Sequence, residues 1–147
     1  MKSNPFPTSY LNKKINIMKT NTDIVNEGYA FFKQGNIPAL LDLMSDDIVW
    51  ELPVSAEVPF AGTFKGKSRV LEFFQAVGST NEFKEFEVDT IVSNGNHVVA
   101  LGHLTSVARP TGKQSSNKWA HHWHLQDGKV ISHYEYVDTA EINNAFL

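Results

Sequence analysis

Apolar positions change their rhythm along this chain, and the change divides it in two. In the first half they recur at helical spacing, with Ile24, Gly28, Phe31 and Phe32 marking a helix from Asn21 to Gln34. Thr20 can cap this helix with Asp23 three residues on, and Gly35 supplies the stop. Asn36 caps a second, short helix, with Pro38 in its first turn and Leu40, Leu41 and Met44 facing inward. Asp46-Asp47 leads into a strand from Ile48 to Leu52, and Pro53 and Pro59 bracket a loop ending at Gly62. A third helix, Ser68 to Val77, buries Val70, Leu71, Phe73 and Phe74 and is closed by Gly78-Ser79.

From Phe83 onward the pattern is that of strands. One runs to Val92, Asn94-Gly95 turns the chain, and His97 to Arg109 forms the next before Pro110-Thr111-Gly112 turns again. Trp119 to Asp138 then reads as two strands joined at Asp127-Gly128, a pair suited to the positive φ of a tight hairpin turn. Side chains two apart share a strand face, so Trp119, His121, Trp123 and Leu125 lie together, matched by Ile131, His133 and Glu135. A short helix runs from Thr139 to Phe146, with Asp138 placed to cap it. Helices preceding consecutive hairpins indicate an α+β domain, with helices on one face of an antiparallel sheet.

The chain has 147 residues, of which 41% are hydrophobic and 20% charged, as expected of one globular domain with a real core. A net charge of −3 argues against a nucleic-acid-binding surface. No apolar run is long enough to span a membrane, and the absence of Cys excludes disulfide and thiolate chemistry. A cytoplasmic location fits this composition. Residues 1–19, with Pro5, Pro7 and four lysines, read as a flexible tail preceding a domain over residues 20–147. The tail lacks the apolar centre of a secretory signal, and Met18 is an alternative translation start.

Several strings carry a family resemblance. They are Ser45-Asp46-Asp47-Ile48-Val49-Trp50-Glu51-Leu52-Pro53, Val58-Pro59-Phe60-Ala61-Gly62-Thr63-Phe64-Lys65-Gly66, Trp119-Ala120-His121, Asp127-Gly128-Lys129-Val130 and Glu135-Tyr136-Val137-Asp138-Thr139-Ala140. In number, order and spacing they resemble the SnoaL-like branch of the nuclear transport factor 2-like superfamily, home also to ketosteroid isomerases and limonene epoxide hydrolase. The resemblance runs from Ile24 to Leu147. It implies a cone: a curved antiparallel or mixed sheet wrapped by three helices, the nuclear transport factor 2-like or cystatin-like architecture. The cone would enclose an apolar pocket, and the outer sheet face would form a homodimer interface. Fold does not fix function in this superfamily, so function has to rest on the individual residues of the site.

Glu135 matches the position where SnoaL-type cyclases and limonene epoxide hydrolase place an aspartate that acts as acid or base. A carboxylate in an aromatic pocket can exchange protons near neutral pH, whereas a surface or structurally paired Glu would not. His121 aligns with a histidine of SnoaL-type cyclases and could face His133 or Glu135 across the strand pair; a core histidine bonded to a carbonyl is the alternative. His103 is a further candidate, on a strand face shared by Val99, Leu101 and Thr105. In limonene epoxide hydrolase the equivalents of His103 and Thr105 are Arg and Asp, so epoxide opening by that arrangement is not expected. The ketosteroid isomerase base position is Leu52 here, so that arrangement is not expected either.

Trp50, Phe60, Trp119, Trp123, Leu101 and Tyr29 are candidate ligand-binding residues, Phe64 joining them, although aromatics can equally fill a core. His122 and His124 lie on the opposite strand face, where a metal would need a third convergent ligand; His97 lies too far off in register, and no metal or cofactor is expected. No glycine-rich phosphate motif is present. The segment from Pro53 to Gly62 would suit an ordered lid over the pocket. The sequence leaves three functional readings. One is a cofactor-independent isomerase, cyclase, lyase or hydrolase acting by proton transfer on an apolar cyclic or carbonyl-bearing molecule. The second is a non-catalytic binder of an apolar ligand, and the third a dimerisation module whose own aromatics fill the cone.

Overall fold

A computed structural model describes residues 19–147. The tail expected over residues 1–19 lies, apart from Lys19, outside the described residues. The first helix, α1 (Asn21–Lys33), starts where the Thr20 and Asp23 pairing dictates. The Asp23 N–H donates to Thr20 Oγ1 at 3.1 Å, and the Thr20 N–H donates to the Asp23 carboxylate at 3.0 Å. Its buried face is Ile24, Val25, Gly28 and Tyr29, while Phe31 and Phe32 are only half-buried. Asn36 caps α2 (Ile37–Asp42) by accepting from the Ala39 N–H. Met44 belongs not to this helix but to β1 (Met44–Leu52), which starts earlier than Ile48.

The short strand β2 (Gly62–Lys65) pairs with the end of β1 and is too brief to show a period in sequence. Helix α3 (Lys67–Thr80) runs through Gly78-Ser79, which the sequence reads as its stop. It ends instead at Asn81, whose side-chain amide donates to the Val77 carbonyl at 3.1 Å. The rest of the sheet is four long strands: β3 (Asn81–Asn94), β4 (His97–Ala108), β5 (Gln114–Gln126) and β6 (Lys129–Val137). Asp138 accepts from the Glu141 N–H and so caps α4 (Thr139–Ala145).

The strands form one open sheet, not closed into a barrel, in the order β2-β1-β6-β5-β4-β3. Every pair is antiparallel except β1 with β6, so the sheet is mixed. Register shifts in β3 after Phe83 and after Val88 each insert a residue. Such bulges bend a strand and increase its twist, as a sheet curving around a core requires. The core is built from Val25, Leu40, Ile48, Val70, Val98 and Leu125 together with a dense set of aromatic rings.

Two features of the central strands position the polar side chains of the inner face. Asp127 and Gly128 have φ of 51° and 76°, the tight-turn conformation read from their sequence. This sets Gln126 opposite Lys129 and Leu125 opposite Val130, which is fully buried. A register shift between His124 and Leu125 then skips one residue of β6, and it is this shift that sets Trp123 opposite His133 and His121 opposite Glu135 rather than Tyr134. The residue accommodated there is Ile131, which therefore leaves the inner face that simple alternation assigned to it. The second feature is Gly102, opposite Trp119 on β5. A Cβ at Gly102 would lie 2.1 Å from Trp119 Cζ2 and 2.2 Å from the Glu87 carbonyl oxygen. Only a bare backbone lets the indole lie across β4 at this point.

A Gly102→Ala substitution is therefore expected to destabilise the domain by about 2–3 kcal/mol, the cost of overpacking where a neighbour is backbone. Urea denaturation measures it, and an unchanged midpoint would contradict the role given to Gly102.

Candidate active site

Between the helices and the inner sheet face lies a cavity of about 100 Å³. Trp50, Phe60, Phe73, Phe74 and Trp123 supply much of its apolar wall, with Ile142 and Phe146 of the C-terminal segment at one side. The loop from Pro53 to Gly62 is tied down there. The Ser55 N–H donates to Asn143 Oδ1 at 2.8 Å, and the Phe60 ring meets Phe146 edge-on at 5.4 Å.

A chain of hydrogen bonds crosses the polar side of the cavity. The Trp123 indole N–H donates to Tyr29 Oη at 2.9 Å. Tyr29 Oη lies 2.8 Å from His121 Nδ1, and His121 Nε2 lies 3.0 Å from Glu135 Oε1. Donor arithmetic orients the chain. An indole nitrogen can only donate, so Tyr29 accepts from it and has its own proton to give to His121 Nδ1. Burial, partly opposed by the Trp123 hydrogen bond, pushes the Tyr29 phenol well above its ordinary pKa and keeps that proton in place. His121 is thereby assigned as the tautomer protonated at Nε2, which donates to the Glu135 carboxylate. Both side chains are nearly closed off from bulk solvent, at 9% and 14% exposure.

His133 stands beside this chain. Its ring stacks on Trp50 at 3.6 Å, meets Trp123 edge-on at 4.5 Å and lies 4.8 Å from the His121 ring. Neither ring nitrogen has a hydrogen-bond partner. Burial, reinforced by His121 and His122, drives its pKa well below the usual histidine value, so it is a neutral imidazole. An unpaired polar group in such a place is costly, and it is the kind of group a ligand could satisfy.

The structure brings together most of the residues singled out in the sequence. Glu135, His121, His133, Trp50, Phe60, Trp123 and Tyr29 all line the cavity. Trp119 does not. It lies behind His121, stacked on that ring at 3.9 Å and on Phe86 at 5.2 Å. Phe64 is core, packed edge-on against Phe73. His103 and Leu101 belong to the other face of the sheet. The cross-strand partners of His121 and Trp119 are Ala100 and Gly102, so the even-numbered residues of β4 point inward and the odd-numbered ones outward. Leu101 is 41% exposed. His103 bonds to Asp89 at 2.9 Å and Glu85 at 3.1 Å, and these acids raise its pKa.

Sequence reasoning missed the opposite end of the cavity, where Asn81, Ser106, Ser115 and Asn117 contribute polar groups to the lining. Extending the alternation of β5 back from Trp119 finds Asn117 and Ser115. It also missed that His97 sits directly opposite His124, with its Nδ1 2.8 Å from His122 Nε2. Burial and these two neighbours lower the His122 pKa. This cluster lies on the outer face, and no group of acidic, histidine or cysteine side chains among the described residues is arranged to hold a metal ion. No helix among them is long and apolar enough to cross a membrane.

The SnoaL-like domain family matches residues 25–133, well over half of the chain, and the protein belongs to it, within the nuclear transport factor 2-like superfamily. Solved structures agree on the fold. A nuclear transport factor 2-like protein from Burkholderia xenovorans is 27% identical with a TM-score of 0.80, covering 86% of this chain and 95% of that one. TerC, crystallised with polyporic acid, is 22% identical with a TM-score of 0.76, covering 86% of this chain and 97% of that one. A protein from Mesorhizobium loti described as a SnoaL-like polyketide cyclase is 17% identical with a TM-score of 0.66, covering 80% of this chain and 98% of that one. No curated protein matches the chain significantly.

The buried imidazole makes stability depend on pH in a defined direction. His133 stays neutral when folded, but in the unfolded chain it takes a proton below the ordinary histidine value of 6.5. Stability is thus present above pH 6.5 and falls as pH drops below it, with a limiting slope of about 1.4 kcal/mol per pH unit for one group. His122 acts in the same direction, whereas His103, with its raised pKa, contributes stability that is lost as pH rises through its folded-state value. A His133→Leu variant is expected to flatten the limb between about pH 6.5 and pH 5, above most carboxylate titration. Denaturation curves across that range test this, and an unaltered limb would show that His133 is not the group responsible.

Proposed function

We propose that this protein is a cofactor-independent enzyme that moves a proton on an apolar, carbonyl-bearing small molecule. The observation that carries the reading is the Tyr29–His121–Glu135 chain ending beside a neutral, unpartnered His133 at one apolar cavity. Glu135, as its carboxylate, takes the proton from the carbon next to the carbonyl. His121 holds Oε1 through its Nε2–H, which leaves Oε2 for the substrate. Tyr29 fixes the His121 tautomer from behind. His133 donates its one N–H to the carbonyl oxygen as that oxygen gains charge, and a fixed donor in a water-poor site stabilises an enolate far better than the same donor in water. Glu135 then returns the proton to a neighbouring carbon, which is isomerisation; or the enolate carbon attacks a second carbonyl carbon of the same molecule, closing a ring, and Glu135 gives the proton to the alkoxide oxygen that forms, which is cyclisation. Neighbours of the same fold include the polyketide cyclase-like protein from Mesorhizobium loti, and that likeness supports the class without naming the reaction.

Exchange of the α-protons of acetophenone for deuterium, monitored by proton NMR in D2O, isolates the proposed step from the unknown product. Wild-type protein is expected to accelerate it and Glu135→Gln to lose at least about 100-fold of the acceleration, the usual weight of a general base. Binding of the ketone without any acceleration would favour the non-catalytic binder instead.

The outer sheet face supports pairing with a second copy of the chain. Leu101, Ala120 and Tyr136 form a continuous cross-strand row there, with Leu101 41% and Tyr136 58% exposed. An apolar row of this kind is shielded by an isologous partner. Sedimentation equilibrium is expected to show a dimer that Leu101→Glu converts to monomer; a monomeric wild type would remove the interface.

A further inference from the structure

The cavity has a second polar end that proton transfer does not use. Asn117, on the inner face of β5, is 5% exposed and lines the cavity, yet neither its amide nitrogen nor its oxygen has a hydrogen-bond partner. Ser115, its neighbour on the same face, and Ser106, cross-strand from Ser115, line the cavity beside it. A buried amide with both atoms unpaired loses its hydration without return, and a Leu of similar size would avoid that loss. Here the sequence retains a donor and an acceptor side by side, facing an otherwise apolar space.

We propose that Asn117 is the second anchor of the ligand, and that the ligand is a neutral, single-ring ketone whose far end carries a group that both donates and accepts a hydrogen bond. The inference rests on the proton-transfer reading for what the near end holds. Three observations define the class. Glu135, which takes the proton, lies cross-strand from His121, and Asn117 is four residues from His121 on the same face, about 13 Å at about 3.3 Å per residue. Subtracting a hydrogen bond of about 3 Å at each end leaves about 7 Å, the reach of a para-disubstituted six-membered ring. The cavity volume of about 100 Å³, below the about 150 Å³ of an apolar cavity that holds one benzene, sets a single ring as the upper limit. Lastly, no Lys or Arg lines the cavity, so a carboxylate or phosphate at the Asn117 end would be buried without a counter-charge. Between the two anchors the Trp119 indole lies across Gly102 and stacks on the His121 ring, outside the cavity lining.

Calorimetric titration with acetophenone, 4-hydroxyacetophenone and 4-acetylbenzoate tests this on the full chain. Wild-type protein is expected to bind 4-hydroxyacetophenone at least tenfold more tightly than acetophenone and to reject 4-acetylbenzoate. Asn117→Leu is expected to bind the first two alike and to melt at a higher temperature without ligand, whereas loss of a structural amide would lower the melting temperature. Should Asn117→Leu fail to fold, Asn117→Ala serves for the same comparison. Equal affinities in wild type, a preference that survives the substitution, tighter binding of the carboxylate, or no binding by either neutral ketone would each overturn the proposal. Affinity is read without turnover. Preference without α-proton exchange removes the catalytic reading alone, and exchange without preference removes this inference alone.

Discussion

The hydroxyl of Tyr29 is the contact on which the polar arrangement depends. It joins a helix to a sheet at a buried point, accepting from Trp123 and donating to His121. Because the phenol holds its proton, its direction of donation is not free, and it dictates both the tautomer of His121 and the approach to Glu135. The helix must in turn lie close to the sheet. Gly28, one residue earlier, keeps the packing close, since a Cβ there would sit at contact distance, 3.4 Å from Leu40 and 3.5 Å from the Trp123 ring, with no room for a longer side chain. A small residue and a phenol, adjacent on one turn, thus set both the distance and the hydrogen-bond polarity of the site.

Local chemistry made much of this legible in the sequence alone. The Thr20–Asp23 box, the Asn36 cap and the Asp127-Gly128 turn are decided by neighbouring atoms, and each is found where its sequence places it. The pairing of His121 with Glu135 was legible only in part, because the turn alone would set His121 opposite Tyr134 and the one-residue shift at Ile131 brings Glu135 there instead. Three things were not legible. The bulge that displaces Ile131 leaves no compositional mark. The face of β4 is ambiguous, as both alternating sets mix apolar and polar residues, and His103 falls on the wrong side of that choice. The contact that resolves it, Gly102 beneath Trp119, joins residues on different strands. Asn117 was overlooked for a simpler reason: polar residues near a turn suggest solvent, and only the curved sheet brings this one inside.

Both ends of the cavity retain groups that a stability-seeking core would replace. His133 and Asn117 are buried and unpaired, while the intervening wall is aromatic. Ser45 Oγ and Trp119 Nε1 are buried and unpaired as well, but away from the cavity; His133 and Asn117 are the two whose unpaired atoms belong to residues lining it. The outer face obeys a different logic, with His103 held between two carboxylates and His97, His122 and His124 gathered where solvent or a partner can reach them.

The alternation of β5 has a consequence for how the gene can change. His121 faces the cavity and His122 faces outward, and nothing but strand parity separates the two environments. A one-codon insertion or deletion in this strand, unless a new bulge absorbs it, would exchange the faces, turning surface imidazoles into the core and the paired imidazole out to water. Length differences should therefore be rare within β5 and common in the Arg109–Lys113 turn before it. The amino acids at single positions can drift. The count of residues between them cannot.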